Sequence, residues 1–447
     1  MNHNTKDLTR GPLGKQILFF SLPLMLSNVL QILFNMSDVA IVGTFAGSIP
    51  LGAVGSTTTL VALFTGFLIG VGSGGNVLVA RHFGSRNQRE MTQTIHTAAL
   101  VCLLTGVAVL LFGQGIARGI LTLLKTKPEL MEGAVLYIRL YFLGMPALAV
   151  FNFGNAVFSA IGNTRKPLFY LSLSGVINVL LNLFFVIGCG MDVAGVALAS
   201  VIAQYLSAGL IIAALLRCGE SYGMRLSQLR LHRDKVAAIL RIGLPAGVQN
   251  AIFQLANLFI QAGVNSFSAD VVSGNAAAAN ADGLVYDVMA AFYTACGSFI
   301  GQNYGAGKKD RVWKSYLISL FYSFGAGLVL GLLLVAFGPA FLSLFTSEPA
   351  VAAAGMKRLG IMGCCYGVSA FMDCTIAASR GLGRSFVPTV FVLLGSCVFR
   401  IVWIYTVFAY FGTLTSLYLL YIFSWTITAT AEILYFRSCY RRQMAVL

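Results

Sequence analysis

Long apolar stretches recur along this chain and constrain its fold more than any other feature. A helix that crosses the ~30 Å hydrocarbon core of a bilayer needs about 20 apolar residues. Only 10% of the residues are charged, against about 25% in ordinary soluble domains, so lipid must surround most of the chain. The sequence therefore predicts an all-α integral membrane protein with twelve transmembrane helices, at 16–44, 51–79, 92–117, 131–160, 168–189, 193–216, 236–266, 273–301, 313–344, 353–379, 386–410 and 413–436.

The positions of the basic residues predict the orientation of these helices. An even number of helices places both termini on one side, and lysine and arginine accumulate in cytoplasmic loops. Most of the 30 basic residues lie in the N-terminal segment, in alternate loops and at the C-terminal end. Both termini are therefore predicted to be cytoplasmic in a multi-pass protein of the inner (plasma) membrane. The net charge of +15 then reflects topology and contact with anionic lipid, and no nucleic-acid partner is expected.

The two halves of the chain repeat one another at an offset of about 222 residues. The segment QILFFSLPLMLSN aligns with AILRIGLPAGVQN, which superposes Pro23 on Pro245. The loop ARHFGSRNQRE after the second helix aligns with GQNYGAGKKDR after the eighth. Gly162 and Gly383 follow the fourth and tenth helices at nearly the same offset. Three landmarks at one spacing indicate a duplicated unit of six helices.

The repeat predicts two pseudo-symmetric lobes. Because each unit has six helices, both copies enter the membrane in the same direction, so the lobes are related by an axis along the membrane normal with a central cavity between them. The predicted division is an N-lobe at 1–216, a polar, basic cytoplasmic linker at 217–235, and a C-lobe at 236–447.

The sequence contains no complete motif of a soluble enzyme. The sequence NYGAGKK resembles a phosphate-binding loop, but Gln302 replaces the required first glycine and Lys309 replaces the final Ser or Thr. The four histidines lack ligand spacing, and the nine cysteines form no zinc motif. We therefore expect no enzymatic activity and no cofactor, and a transporter with this sequence would draw its energy from an ion gradient.

Polar residues inside the N-terminal predicted helices suggest a site. A carboxylate at membrane depth is costly and typically marks an ion path or faces a partner. Asp38 lies toward the outer half of the first helix, and Gln31 and Asn35 lie at i−7 and i−3 on the same face. Asn178 and Asn182 present two amides on one face of the fifth helix, where hydrogen bonding between helices is an equally good interpretation.

The C-terminal half holds further ionisable residues in predicted spans. Asp282 and Asp287 flank Tyr286 in the eighth helix, and their spacing gives them different faces. Asp373 lies in the tenth helix. Arg400 lies near the middle of the eleventh helix, and its cost when unpaired predicts a carboxylate partner, Asp373 or Asp287. A remaining acid of the last helix, Glu432, is predicted to pair with Arg437 near the membrane surface.

These features together resemble the multidrug and toxic compound extrusion (MATE) transporters, of the DinF-like and NorM-like kinds. That family belongs to a superfamily that also contains lipid-linked saccharide flippases. The resemblance covers essentially the whole chain and rests on the P-x4-N start of each repeat, the Asp38 helix, the two loops described above, and FGNAVFSAIGNTRKP, GVINVLLNLFFVIGCGMDVAGVALASVIAQ and FMDCTIAASRGLGRSFVP.

The resemblance implies that an organic cation leaves the cytoplasm while protons or sodium ions enter. In similar transporters of the DinF-like branch, an aspartate of the first helix, two polar residues of the fifth and a hydroxyl residue of the sixth form an N-lobe cation site. The matching positions here are Asp38, Asn178, Asn182 and Ser200. In the NorM-like branch an acid of the tenth helix carries a C-lobe cation site, and Asp373 occupies that place.

The sequence departs from both patterns. Asn182 stands where an aspartate is usual, and Phe34 stands where a tyrosine is common. Phe253 and Gln254 lie near the place of the seventh-helix acid of the NorM-like branch. Losing the second carboxylate weakens a sodium site more than a proton site, because sodium needs several oxygen ligands with enough negative charge. We therefore favour protons and expect protonation of Asp38 to compete with substrate.

The same residues fit proteins of other classes less well. A lipid- or saccharide-linked flippase would share the repeat, but the candidate cavity residues are mainly acidic, with Arg400 the exception, which favours a cationic cargo. A receptor or scaffold would not need acids inside the membrane. The expected partners are a small-molecule substrate and membrane lipid, and the expected state is a monomer. The residue pattern does not name the substrate, and it leaves open which lobe holds the coupling site.

Overall fold

The chain is helical throughout the part that the structure describes. That structure, a computed structural model, covers residues 6–446 and contains no β-strand in this range. The α-helices are α1 (Leu13–Ile41), α2 (Ser48–Gly84), α3 (Gln88–Leu123), α4 (Pro128–Phe142), α5 (Met145–Ala160), α6 (Arg165–Leu183), α7 (Val193–Leu216), α8 (Arg233–Val264), α9 (Ala269–Gly305), α10 (Lys309–Ala336), α11 (Gly338–Leu342), α12 (Pro349–Gly363), α13 (Tyr366–Gly381), α14 (Phe386–Val392), α15 (Phe399–Trp403), α16 (Ala409–Phe411) and α17 (Leu414–Val446). Four π-helical segments extend or join them at Val42–Ala46, Phe184–Gly188, Leu393–Val398 and Ile404–Phe408, and a short 3-10 turn lies at Leu226–Gln228.

Length and apolar composition identify the membrane-spanning helices. In the described part of the chain, 10 helices are long and apolar enough to cross a membrane, and up to 12 spans result when each of two bent helix pairs is counted as one. The predicted all-α membrane fold with twelve spans is confirmed. Breaks inside the fourth and tenth spans were not predicted: α4 and α5 meet at 46°, and α12 and α13 meet at 49°.

The first of these breaks has a local cause. Pro146 lies in the first turn of α5. Proline has no backbone N–H and its ring clashes with the carbonyl four residues earlier, which favours a kink or a break in the helix at this point. The bend therefore falls between Phe142 and Met145, where α4 ends and α5 begins. The ninth predicted span is also interrupted, because α10 ends at Ala336 and the short α11 follows.

The chain forms two compact units. The first contains Leu26–Ala251, and the second contains Asp7–Met25 together with Ile252–Leu447. The division passes through α1 and α8, so the first half of α1 belongs to the second unit and the first half of α8 belongs to the first unit. The units therefore differ from the predicted lobes at the starts of these two helices. The predicted linker at 217–235 lies within the first unit.

Glycines explain how α8 packs in the first unit. A Cβ atom on Gly74 of α2 would lie 2.4 Å from the carbonyl oxygen of Ile239, and one on Gly70 would lie 2.3 Å from the backbone nitrogen of Gly247. Such contacts are possible only for residues without a side chain. Helices in lipid lack a hydrophobic drive to associate and pack closely through small residues instead, so the α2–α8 contact places the start of α8 in this unit.

In the second unit, the loop GQNYGAGKKDR anchors the segment before α1. The Gln302 side-chain carbonyl accepts a hydrogen bond from the Leu8 N–H at 3.0 Å. Arg311 donates to the carbonyl oxygens of Leu8 at 3.1 Å and Gly11 at 2.9 Å. The first half of α1 then packs on α9, with the rings of Phe20 and Phe299 edge to face at 5.5 Å. This loop therefore has a structural role in place of phosphate binding.

Asp7 begins this anchored segment. Its carboxylate accepts hydrogen bonds from the backbone N–H and the hydroxyl of Thr9, at 2.9 and 2.5 Å, and lies 3.6 Å from the Arg10 guanidinium. Partial burial raises the pKa of Asp7, but the hydrogen bonds from Thr9 and the charges of Arg10 and Lys308 outweigh it and hold the pKa below its ordinary value. The anchored segment is thus stabilised by the ionised form of Asp7.

Candidate functional site

In the first unit, three helices bring polar side chains together around Asp38. Asp38 lies near the end of α1, Asn178 and Asn182 lie one turn apart near the end of α6, and Ser200 lies on α7. Along the chain, Asp38 is separated from Asn182 by 144 residues and from Ser200 by 162 residues. The structure thus assembles the four residues that the family resemblance singled out. We call them the Asp38 cluster.

The cluster is joined by hydrogen bonds. Asn182 donates from Nδ2 to Asp38 Oδ1, and Ser200 donates from Oγ to Asp38 Oδ2 at 3.2 Å. Asn178 completes the network, since its Nδ2 lies 3.4 Å from Ser200 Oγ and its Oδ1 accepts from Asn182 Nδ2 at 3.3 Å. Each carboxylate oxygen of Asp38 therefore has a neutral donor.

Burial makes these contacts energetically important. Asp38 is 9% exposed and Asn182 is completely buried. An ionised carboxylate removed from water loses far more solvation than an amide or hydroxyl does, so it persists only with donors or a cation nearby. The two side chains that donate to its oxygens, Asn182 and Ser200, are both uncharged. The site is therefore a buried acid that can take up a cation and that has uncharged donors in the cation's absence.

The backbone changes its helical form beside this cluster. α1 continues as a π-helix at Val42–Ala46, shortly after Asp38, and α6 continues as a π-helix at Phe184–Gly188, directly after the turn that carries Asn182. Single π-helical turns often occur at functional sites, because the wider turn re-aims neighbouring side chains. The two π-helical segments also pack against each other.

Two tyrosines of α4 also lie near the acid and were missed by sequence reasoning. The rings of Tyr137 and Tyr141 stack at 5.9 Å, and both hydroxyl groups interact electrostatically with Asp38. No local pattern marks them, because helical spacing of aromatic residues is ordinary in a membrane helix. Phe34, one turn before Asp38, packs its ring directly on Gly175 of α6.

Gln31 and Asn35 do not join the Asp38 cluster. Both side chains are exposed, although they lie on the helix that carries Asp38. They form no hydrogen bond with any residue that the structure describes. The predicted polar face of α1 therefore separates into a buried acid and two exposed amides.

In the second unit, Asp282 has a partner that the sequence did not suggest. Arg358 of α12 forms an ion pair with Asp282 Oδ2, and Tyr366 donates its hydroxyl to Asp282 Oδ1. Arg358 also donates to Asn275 Oδ1 at 2.5 Å, and the Tyr418 hydroxyl donates to the same oxygen at 3.1 Å. This network ties α9, α12, α13 and α17 together, which indicates a structural role for Asp282.

Among the residues that the structure describes, Arg400 has no carboxylate partner, so that prediction was wrong. The side chain is completely buried, and its guanidinium lies 4.8 Å from the ring centres of Phe253 and of Tyr421. It donates to Ser424 Oγ and to Asn257 Oδ1, each at 3.3 Å, whereas its Nη2 atom has no hydrogen-bond partner in the described chain. Aromatic faces attract cations through their quadrupole, so the two rings replace the expected ion pair.

The remaining predicted residues of the second unit are loosely grouped. Asp373 is half-buried and interacts electrostatically with Arg380 and Arg400 without forming an ion pair. The hydroxyl of Tyr286 lies 3.3 Å from that of Tyr293, and both tyrosines interact electrostatically with Asp373 and Asp287. Tyr286 itself is 45% exposed.

The described residues contain no group of three or more His, Cys, Asp or Glu side chains that could hold a metal ion. The Asp38 cluster nevertheless offers several oxygen atoms around one carboxylate, which is the donor type that an alkali cation accepts. In the hydrogen-bond network, however, the side-chain nitrogen of Asn182 and the hydroxyl of Ser200 donate to the Asp38 carboxylate. This arrangement suits a neutral or proton-accepting acid better than a ready cation cage.

Comparison with protein families gives a match over most of the chain. The family model described as MatE matches residues 23–184 and 245–406. The two matched segments begin and end 222 residues apart, which is the offset of the internal repeat. Both predicted repeat units are therefore copies of one family unit.

Curated relatives align with this chain over most of their own length. A Bacillus subtilis (strain 168) protein named "Probable multidrug resistance protein YpnP" is 29% identical over 356 residues, 79% of each chain. A NorM-named multidrug resistance protein of Thermotoga maritima is 22% identical over 89% of this chain and 86% of its own. A protein of Shewanella oneidensis named FAD transporter is 24% identical over 80% of each chain.

Solved structures share the fold. A MOP superfamily transporter from Pyrococcus furiosus superposes with a TM-score of 0.91, at 21% identity and over 99% of both chains. The outward-facing conformation of a multidrug resistance MATE family transporter gives a TM-score of 0.90 over 99% of both chains. The whole chain therefore has the architecture of these transporters.

Proposed function

We propose that this chain, which belongs to the MatE family of multidrug efflux transporters, is a cation-coupled antiporter that exports organic cations by alternating access. The family match and the membrane fold establish a multi-pass membrane transporter. The coupling ion, the cargo and the coupling residue are the content of the proposal. A transporter of this kind needs no enzymatic step, and we assign none.

One observation carries the proposal: an acid buried in the first unit whose two carboxylate oxygens accept hydrogen bonds from uncharged side chains. Asp38 is 9% exposed, and its oxygens are satisfied by Asn182 and Ser200. Neutral donors hold the carboxylate without neutralising its charge, so a cation can still bind there. An acid with an arginine partner, such as Asp282, would already be neutralised. Asp38 is thus the best candidate for the coupling residue, and Asn178 would support its two donors.

The donor arrangement favours protons over sodium ions. A sodium ion at Asp38, Asn178, Asn182 and Ser200 would require side-chain oxygens directed at the ion. Asn182 instead directs its nitrogen at Asp38, and only one carboxylate is present in the cluster. Protonation needs no such rearrangement, because it adds a hydrogen to an oxygen already in place. We therefore assign H+ as the coupling ion, with Na+ as the alternative, and no other cofactor.

The cargo and the setting complete the proposal. Acids that are half-buried in the second unit, Asp287 and Asp373, favour a positively charged small molecule, with Arg400 modulating Asp373 electrostatically. We expect a monomer in the plasma membrane, with cytoplasmic termini and lipid as its other partner, and we expect no nucleic-acid partner. The relatives reported above give no support to a lipid- or saccharide-linked flippase.

A second candidate cargo has one specific observation in its favour. Arg400 is a fully buried cation without a carboxylate partner, and one of its guanidinium nitrogens has no acceptor in the described chain. A cargo with an anionic group would supply that acceptor. One relative, at 24% identity, carries the name FAD transporter. Anion export is therefore the alternative that the experiment must separate.

Transport into proteoliposomes of the purified wild-type protein tests the proposal. Fluorescent organic cations and fluorescent organic anions of similar size are offered separately, under a pH gradient, a sodium gradient or no gradient. The proposal expects accumulation of the cation under the pH gradient alone. Accumulation under the sodium gradient alone would overturn the assignment of H+, and selective accumulation of the anion would overturn the cationic cargo.

A further inference from the structure

Glu432 of α17 is a buried acid that the proposed function does not use. Its side chain is completely buried, and neither carboxyl oxygen has a hydrogen-bond partner in the structure. The sequence predicted an ion pair with Arg437, but Glu432 forms none among the described residues. That prediction was therefore wrong. An ionised carboxylate in this setting would lack both solvent and donors, which is far costlier than a neutral carboxyl in the same place.

The groups that act on Glu432 come from two helices. Arg380, in the last turn of α13, interacts with it electrostatically, and Tyr435 of α17 does so as well. The other helices that pack on α17 carry charges that are either exposed, as Lys357 of α12 is, or engaged elsewhere. Arg358 of α12 is paired with Asp282, and Arg400 of α15 lies between two aromatic rings. Arg380 is thus the cation that can neutralise Glu432.

Arg380 also serves a second acid. Asp373 lies seven residues before Arg380 on the same helix, hence about two turns away on the same face. Arg380 interacts electrostatically with Asp373 and with Glu432. Asp287 interacts electrostatically with Tyr286 and Tyr293, and both tyrosines also interact electrostatically with Asp373.

This connected group contains three carboxyls and, counting Arg400, two guanidiniums. If all three carboxyls were ionised, these five groups together would carry one net negative charge. Binding of one proton to one of the three carboxyls would neutralise this negative charge. The most deeply buried carboxyl gains most from being neutral. Asp373 and Asp287 are half-buried, whereas Glu432 is completely buried and accepts no hydrogen bond from the described part of the chain.

We propose that Glu432 is a proton-binding site of the second unit, and that it shares one proton with Asp373 through Arg380. When Arg380 is engaged with ionised Asp373, the Glu432 carboxyl holds the proton. When the proton moves to Asp373, the O–H bond at Glu432 is broken, and Arg380 turns to the resulting carboxylate. The net charge of the three groups is the same in both states. This site goes beyond the proposed function, because it lies in the other unit and does not depend on Asp38.

Infrared spectroscopy of the purified full-length protein measures the proton directly, through the carbonyl stretch of a protonated carboxyl. Spectra at neutral pH are compared for Glu432→Gln, Asp373→Asn and a matched exposed control, Glu129→Gln, all in an Asp38→Asn background that removes any signal from that acid. We expect the band to disappear in Glu432→Gln and to stay unchanged in the control. We also expect Asp373→Asn to remove the band, because Arg380 then has Glu432 as its remaining acid.

Each other outcome overturns part of the inference. A band that persists in Glu432→Gln shows that another group holds the proton. A band lost in Glu432→Gln but kept in Asp373→Asn shows that the two acids do not share it. If Glu432→Gln does not fold, the spectrum of the Asp38→Asn protein still tests the site. Absence of the protonated-carboxyl band from that spectrum at neutral pH refutes proton binding at Glu432. The assay needs no transport, so its result stands whether or not the antiport proposal survives.

Discussion

Replacing Asp38 with asparagine removes the charge of the proposed coupling site while preserving its shape. Asparagine can accept from Asn182 with its oxygen and donate to Ser200 with its nitrogen, so both contacts remain, with the Ser200 hydroxyl rotated from donor to acceptor. A hydrogen bond to a charged group contributes about 1.5–3 kcal/mol and a neutral one about 1 kcal/mol. That loss is offset because a buried charge no longer needs solvation. We therefore expect a melting temperature close to that of the wild type.

The expected effect on transport follows from the energetics of exchange. One proton exchanged for one monovalent organic cation moves no net charge, so only the pH gradient drives the cycle. A difference of one pH unit is worth about 1.36 kcal/mol, or roughly a tenfold concentration ratio of the cargo. Without a protonatable acid at position 38 the gradient is no longer coupled, and the ratio in Asp38→Asn should fall to about 1.

Accumulation of a fluorescent cation in proteoliposomes under an imposed pH gradient measures this ratio. The matched control is Asp192→Asn, which changes an exposed acid of the same unit at the start of α7. The control should accumulate the cation as the wild type does. Wild-type accumulation by an Asp38→Asn protein with a normal melting temperature would refute the coupling role of Asp38.

Three further predictions concern stability. Asp282→Asn should lower the melting temperature, because a buried ion pair that loses one partner costs about 3–5 kcal/mol of stability. Adding Arg358→Met should restore much of the lost melting temperature, since no unpaired charge then remains. An equal loss in the single and the double variant would contradict the ion-pair argument. Gly74→Val should destabilise the fold by about 1–3 kcal/mol through overpacking, whereas Gly55→Val in the same helix meets nothing within 4 Å and should be tolerated in thermal melts. Because the pKa of Asp7 is lower in the folded state, its stabilising contribution is present above the unfolded value near ~3.9 and is lost as pH falls through the folded pKa. Limited proteolysis with pepsin, with each rate divided by that of an unstructured peptide at the same pH, should therefore cut the N-terminal segment relatively faster at strongly acid pH in the wild type. In Asp7→Asn the same ratio should be high and independent of pH across the acid range in which pepsin is active.

Elements whose cause lies in local sequence were predictable. The twelve spans follow from runs of apolar residues, since each run alone meets the thickness of the bilayer. The internal repeat follows from landmarks at one offset, and both matched family segments reproduce it. The Asp38 cluster was also anticipated, although only through resemblance to a family, because nothing in the chain's local pattern relates α1 to α6 and α7.

Partnerships between distant residues were not predictable. No local pattern pointed to Arg358 as the partner of Asp282, whereas Arg400 was expected to have an acid and lies between two rings. A charged residue inside a predicted span indicates that a partner is needed, but several residues on other helices could have been that partner. Which of them lies within reach depends on how the helices are rotated and shifted against one another.

The amino-acid sequence by itself determined that this protein crosses a membrane many times, that it is a duplication, and that it carries costly acids within its spans. Those properties depend on composition and on spacing along one helix. Only the tertiary structure decided that Asp38 is met by neutral donors, that Glu432 is buried without any, and that the first halves of α1 and α8 belong to the other half's unit. The physical reason is that hydrogen bonds and solvation are decided within a few ångströms, between side chains that the chain itself holds far apart.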